Sequence, residues 1–357
     1  MNRQVTLVDT RCHPERTREG SCLSIRRPDP SRSTAQDDSR FVILAILAVL
    51  LGLGVCNASA QPTTSPAATG AARTRFPRPD VRYEYGPDSQ RHDDVPRGKV
   101  IEFVWNQNKV FPGTIRKCAV YIPSQYDPTK PAALIVFQDG VRHYLADDQD
   151  FRVTIVFDNL IAKKEMPVTI GLFIDPGYKR SELPPAREKT STAENRSFEY
   201  DTLSTDYADF LLTEILPYVK REYNLNITDD PDGRAICGMS SGAIAAFTVA
   251  WNRPDQFHKV VSHVGSFTNI RAGHKYPDLI RASEWKPLRV FLQDNASDNR
   301  SHDPDRNWVI ANHRIAAALE EKDYDYKYVY GEGAHNGNFG GTIFPDTMRW
   351  LWRDYPK

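Results

Sequence analysis

The chain is poor in cysteine, and it has no charge of one sign to spare. Five cysteines occur in 357 residues. Cys12, Cys22 and Cys56 lie in or before an apolar leader segment, so the rest of the chain keeps only Cys118 and Cys237. That is too few for a disulfide framework, and the pair lacks metal-ligand spacing. Each of the two sits in an apolar, strand-like run, which predicts buried free thiols. No metal is expected. Forty-six Lys plus Arg balance 46 Asp plus Glu, for a formal net charge of +0. With no global field to draw in nucleic acid or an anionic membrane, charged partners have to be recognised locally, and nucleic acid is not expected among them.

Long hydrophobic runs are missing as well. The stretch from Phe41 to Val55 falls short of the roughly twenty apolar residues that a membrane crossing needs, so no stable span is expected. Followed by Ala58-Ser59-Ala60, it reads as a secretory signal peptide cleaved after Ala60, which predicts a secreted or periplasmic protein. Leu53-Gly54-Val55-Cys56 also resembles a lipoprotein box, with Val55 where a small residue is usual, so lipidation of Cys56 stays open. Residues 1–60 are accordingly an amino-terminal extension with its signal, 61–97 a polar, Pro-rich, disordered tether and lead-in, and 98–357 one domain.

Within that domain no repeat is visible. Lys99 to Trp105 and Arg116 to Pro123 read as two antiparallel strands, and Ala132 to Phe137 as a strand buried on both faces. Strands at Val168 to Ile174, Arg234 to Met239, His258 to Val264, Leu288 to Leu292 and Tyr326 to Tyr330 then alternate with helical segments. The helical segments are Val153 to Lys164, Tyr200 to Tyr223, the run after Ser240, Asn307 to Glu321 and Pro345 to Trp352. The order predicts an α/β fold: a mostly parallel central sheet with helices on both faces and antiparallel strands at its start. The segment from Pro176 to Arg196, charged and without period, is too long for an ordinary connection and predicts a loop that serves a site.

The most informative stretch is Gly238-Met239-Ser240-Ser241-Gly242, which joins an apolar strand to an Ala-rich helical segment. Gly-x-Ser-x-Gly in that context is a nucleophile elbow and makes Ser240 the candidate nucleophile. The two glycines are required because side chains there would collide as strand and helix pack. A serine needs a base to take its proton and a carboxylate to orient that base, in the chain order Ser, acid, His. His335, in the glycine-rich loop after the last strand, fits as base better than His263, which lies in the strand after the elbow. Asp298 is the candidate acid. Asp294, directly off its strand, is the alternative or a residue closing the local turn. The oxyanion of the tetrahedral intermediate needs backbone donors, expected from the Ser241 amide and the Val141 amide in Gln138-Asp139-Gly140-Val141.

The chain resembles the esterase family of α/β-hydrolases that includes enterochelin esterases, S-formylglutathione hydrolases, feruloyl and acetyl xylan esterases and mycolyltransferases. The resemblance runs from about Arg116 to Tyr355. It is carried by Gln138-Asp139-Gly140-Val141, Arg196-Ser197-Phe198-Glu199-Tyr200, the elbow, Arg253-Pro254-Asp255-Gln256-Phe257, the Asp298 loop and Gly333-Ala334-His335. Ala243 departs from the second glycine that many members carry after the elbow. The resemblance implies the α/β-hydrolase fold, a serine mechanism and no cofactor, with a small-molecule or polysaccharide-linked ester as substrate. Arg142, Arg196 and Glu199 are the candidate substrate-binding residues. An acyltransferase using the same triad is the alternative reading, and a non-catalytic binding module on a hydrolase scaffold a further one.

Overall fold

The computed structural model describes Val81, residues 83–184 and residues 195–357. The leader, Ala60, Cys56 and the middle of the Pro176 to Arg196 loop lie outside the described residues. Eight strands form one sheet in the order β1-β2-β4-β3-β5-β6-β7-β8. They are β1 (Lys99–Trp105), β2 (Arg116–Ile122), β3 (Ala133–Gln138), β4 (Thr169–Ile174), β5 (Arg234–Met239), β6 (Lys259–His263), β7 (Arg289–Asn295) and β8 (Asp325–Gly331). β1 and β2 pair antiparallel, β2 pairs antiparallel with β4, and every later pairing is parallel. This is the mostly parallel sheet with an antiparallel start that the alternation of elements predicts.

The period of two explains why the central strands carry no polar face. On β3, Leu134 and Val136 join one apolar core while Ala133, Ile135 and Phe137 join another on the opposite face. The first core is closed by α3 (Arg196–Asp201), α4 (Asp206–Phe210), α5 (Leu216–Glu222), α6 (Ser241–Asn252), α7 (Tyr276–Ala282) and α8 (Trp308–Glu321). The second lies under α2 (Val153–Ala162) and α10 (Phe344–Leu351), with the short α1 (Gly140–His143) and α9 (Asn338–Thr342) nearby. Cys118 and Cys237 are both free and buried, as expected. Among the described residues no helix is long and apolar enough to cross a membrane, and no His, Cys, Asp and Glu group is arranged to hold a metal ion.

Two expectations need correction. The single helix expected over Tyr200 to Tyr223 is broken: α3 ends at Asp201, Thr202 is extended, and α4 starts at Asp206. Between α4 and α5 the chain widens into a π-turn at Leu211–Ile215. Pro217, at the start of α5, has no N–H to give to the preceding turn, and the wider turn absorbs that loss. The lead-in before residue 98 is also more ordered than expected. Tyr85 donates to Asp150 O (2.8 Å), Arg91 to Asp147 (2.8 Å), and Asn159 donates to the carbonyls of Asp88 and Gln90 (2.9 Å each). These bonds tie residues 85–91 to α2 and the loop before it.

One buried ion pair ties the sheet to the loops at the carboxyl ends of its strands. Arg116, at the start of β2, and Glu199, on α3, have fully buried side chains and meet through two hydrogen bonds of 2.7 and 2.9 Å. Asn195 Nδ2 and the Gly177 amide also donate to Glu199, and Arg116 lies 4.3 Å from the centre of the Phe210 ring. Truncating one partner strands the other as an uncompensated buried charge. Glu199→Ala is expected to cost about 3 kcal/mol of unfolding free energy, read as a shift in the denaturant midpoint at unchanged slope. A cost below about 0.5 kcal/mol would mean that the pair is solvated.

Candidate active site

β5 runs out at Met239 and the chain turns at once into α6, with Ser240 at the apex in a positive-φ conformation (φ 59°, ψ −123°). A non-glycine residue is rarely held there, and such strain gathers at functional sites. Gly238 is obligatory by contact, and Gly242 is tightly confined. A Cβ on Gly238 would sit 2.1 Å from Gly242 O, and one on Gly242 would sit 3.0 Å from Asp139 Oδ2. The elbow is pinned by the Ser240 amide donating to His263 O (3.0 Å) and the Ser266 amide donating to Ser240 O (3.1 Å).

The structure brings Ser240, His335 and Asp298 together. Ser240 Oγ lies 2.8 Å from His335 Nε2, and His335 Nδ1 lies 2.6 Å from Asp298 Oδ1. A carboxylate only accepts, so Nδ1 carries the imidazole hydrogen and Nε2 is left to accept from the serine hydroxyl. The loops after β7 and β8 are laced together to hold this geometry. Ala296 and Ser297 amides donate to Gly331 O (2.8 Å) and Gly333 O (2.9 Å), and Asn295 Nδ2 donates to Ala334 O (2.7 Å). Asp294 stands elsewhere than expected: it lies inside β7, paired with Tyr330, rather than off the strand end. His263 is fully buried behind the elbow with Nδ1 3.3 Å from Gln293 Oε1. Burial pushes its imidazole down to about 3, so it stays neutral.

A hydroxyl that the sequence reading missed completes the surroundings of the nucleophile. Ser266 Oγ lies 3.2 Å from Ser240 Oγ and accepts from Trp308 Nε1 at 3.1 Å. Indole N–H is a donor only, so the Ser266 hydrogen is free to point at Ser240. Val264, a β-branched residue at φ 43°, turns the chain after β6 and delivers Ser266 to that position. Nothing in Val264-Gly265-Ser266 signals this by motif. Only the contact reveals it.

The expected oxyanion loop is present, but its amides are engaged. Asp139 adopts a left-handed conformation (φ 54°), after which Val141 and Arg142 amides both donate to Asp175 Oδ1, at 3.1 and 3.2 Å. The Val141 N–H is therefore not a free donor in this state. Burial, with the neighbouring charge of Asp139, pushes the partly buried Asp175 carboxyl up to about 7. An acid whose folded value exceeds its unfolded value keeps its proton longer when folded, so stability falls as pH rises from about 4 to about 7. Asp175→Asn removes that fall while keeping an oxygen for the two amides. The variant is expected to match the parent at pH 4 and exceed it by about 2 kcal/mol at pH 8, a figure discounted for partial exposure. Thermal or denaturant unfolding at both pH values checks this, and a pH-independent difference would contradict it.

The candidate substrate-binding residues divide. Arg142 is exposed. Arg196 is committed to Asp139 through bonds of 2.9 and 2.7 Å, where it braces the oxyanion loop. Glu199 is sealed against Arg116 and has no surface to offer a substrate, because its charge is neutralised inside the core. Arg196 and Glu199 are thus each engaged by a partner within the protein, Asp139 and Arg116.

A strained serine at a strand–helix elbow, backed by a histidine and a carboxylate after the last strands of this sheet, defines an α/β-hydrolase. The family profile described as "Putative esterase" matches residues 111–323. The chain belongs to that family and is a carboxylic ester hydrolase. It is similar to the Bacillus subtilis (strain 168) protein YjcH, with 22% identity over 233 residues, covering 64% of this chain and 88% of YjcH. Its fold is similar to that of the ferric enterobactin esterase of Salmonella typhimurium, with TM-score 0.58 and 19% identity, covering 77% of this chain and 62% of that one. It is also similar to the ferulic acid esterase AmCE1/Fae1A of Anaeromyces mucronatus, with TM-score 0.55 and 17% identity, covering 73% and 93%. The chain spans less than two thirds of the enterobactin esterase and nearly all of the ferulic acid esterase.

Proposed function

We propose that this protein is a secreted serine esterase that cleaves its substrate through an acyl-enzyme. The observation that carries the reading is the run of short contacts from Ser240 Oγ through His335 to Asp298, 2.8 and 2.6 Å, on a strained elbow. Ser240 Oγ attacks the ester carbonyl as its proton passes to His335 Nε2, and Asp298 holds the Nδ1–H and balances the imidazolium. The carbonyl oxygen becomes an oxyanion facing the Ser241 amide. The Val141 amide serves as second donor when Asp175 yields its share of that hydrogen to the stronger acceptor. Collapse expels the alcohol, which takes the proton from His335, and leaves the acyl group on Ser240. Water, deprotonated by the same histidine, then attacks the acyl carbonyl, and Ser240 Oγ departs with the returned proton. The chemistry needs no cofactor. Export rests on the Phe41 to Ala60 segment alone.

The ferulic acid esterase and enterobactin esterase neighbours point to an ester whose acyl part carries an aromatic ring, as ferulate or as an N-aroyl amino acid. The purified protein is to be assayed on methyl ferulate, acetylated xylan, p-nitrophenyl esters of graded length and a catecholate trilactone. Turnover of an aromatic ester at least about tenfold above the acetyl esters in kcat/KM supports the reading, since about 1.4 kcal/mol of discrimination is then present. Absence of turnover on every ester would refute it.

A further inference from the structure

Behind the histidine sit two carboxyls where one would serve. Asp294 is fully buried and Asp298 is 2% exposed. Asp298 Oδ1 accepts from His335 Nδ1 and from the Asn299 amide, but Oδ2 has no donor, and neither oxygen of Asp294 has one among the described residues. Two ionised carboxylates here would leave three buried oxygens unpaired and set like charges against each other. One proton pairs two of these oxygens and removes the repulsion. Resting on the serine-esterase reading of the site, we propose that Asp294 is a permanently protonated positioning residue whose O–H donates to Asp298 Oδ2, so the pair carries a single negative charge.

The proton belongs on Asp294 because Asp298 already takes two N–H donors, one of which becomes cationic during the reaction. Burial first, then the hydrogen bond and charge of Asp298, push the Asp294 carboxyl far up, against the weaker pull of the Asn295 amide and Arg300. The other titratable groups facing it are Tyr328 and Tyr330 on β8 and His335 beyond it. His313 on α8 packs edge-on against Tyr328 and tilted against Tyr330. Arg300, on the exposed side, gives its guanidinium to Ala296 O and does not neutralise the pair. A net charge of −1 matches the single positive charge of the imidazolium. A charge of −2 would hold the proton on His335 and oppose its return to the leaving group. The hydrogen bond to Oδ2 also fixes the carboxylate plane, keeping Oδ1 aimed at Nδ1.

Asp294→Asn separates the alternatives, because an amide copies a protonated carboxyl in shape and donor but not an ionised one in charge. If Asp294 is neutral, the acidic limb of kcat/KM with p-nitrophenyl acetate stays within about 0.3 pH unit of the parent. If it is ionised, losing that charge moves the limb to lower pH by about one unit or more, which overturns the proposal. Asp294→Leu, which removes the donor, is expected to move the limb to higher pH, since the bare Asp298 carboxylate binds the imidazolium more strongly. A readout independent of turnover keeps the proposal apart from the esterase reading. Infrared difference spectra at pH 8 are expected to show a buried protonated carboxyl in the parent that is missing from Asp294→Asn. No such band in the parent overturns the proposal even if the enzyme hydrolyses esters as expected.

Discussion

Ser240→Ala is expected to lower kcat at least about a thousandfold on any ester the parent turns over. In the proposed mechanism the hydroxyl supplies the attacking oxygen, and neither nearby serine is placed to replace it: Ser266 Oγ is 3.2 Å away and held by Trp308, while the Ser241 side chain is buried. The fold should not suffer. The side chain is small, and the strained turn depends on Gly238, Gly242 and the backbone bonds to His263 and Ser266 rather than on the hydroxyl. Removing Oγ leaves φ at 59° as demanding for alanine as for serine, so the thermal midpoint should move by no more than a few degrees. Steady-state kinetics and a melting curve on one preparation check both halves. Activity within tenfold of the parent would remove Ser240 from the chemistry.

Asp298→Asn is expected to cost about ten-thousandfold in kcat near neutral pH. The substitution keeps shape but gives the imidazole a neighbour that can donate, so Nδ1 can accept and the hydrogen shifts to Nε2. That hydrogen then faces Ser240, and the base has no lone pair for the serine proton. The imidazolium also loses its only paired carboxylate at 2.6 Å. His263→Ala, by contrast, should leave the pH profile in place, because that ring is buried behind the elbow and meets Gln293 instead of the serine. A loss below about tenfold in Asp298→Asn would shift the acid role to another carboxylate, and Asp294 is the first to test.

The parts that were legible in the chain are those governed by local rules. The mostly parallel sheet with its antiparallel start follows from the alternation of buried strands and helices, and the elbow from glycines whose side chains would collide. His335 and Asp298 could be nominated because each sits just past the end of a strand, where this class of sheet carries its chemistry. The rest depended on contacts between segments distant in sequence. Glu199 looked available to a substrate, yet Arg116, on β2, claims it in the core. Val141 looked like a free donor because nothing near it in sequence announces Asp175, at the end of β4. The long helix expected over Tyr200 to Tyr223 is interrupted where Thr202 turns extended between α3 and α4, while Pro217 only widens the turn into α5 without ending it. Ser266 left no sequence trace, since a serine two residues past a strand end is common and its role exists only because Val264 turns the chain toward Ser240.

Whether Ser240 carries the acyl group is tested most directly by covalent capture: incubate the protein with an excess of an aryl fluorophosphonate, follow esterase activity, and locate the adduct by peptide mass spectrometry. One adduct per chain is expected on Ser240, formed in step with loss of activity and absent from Ser240→Ala. Unmodified Ser240 in a fully inactivated sample, or an adduct on Ser241 or Ser266 that tracks the loss, would contradict it.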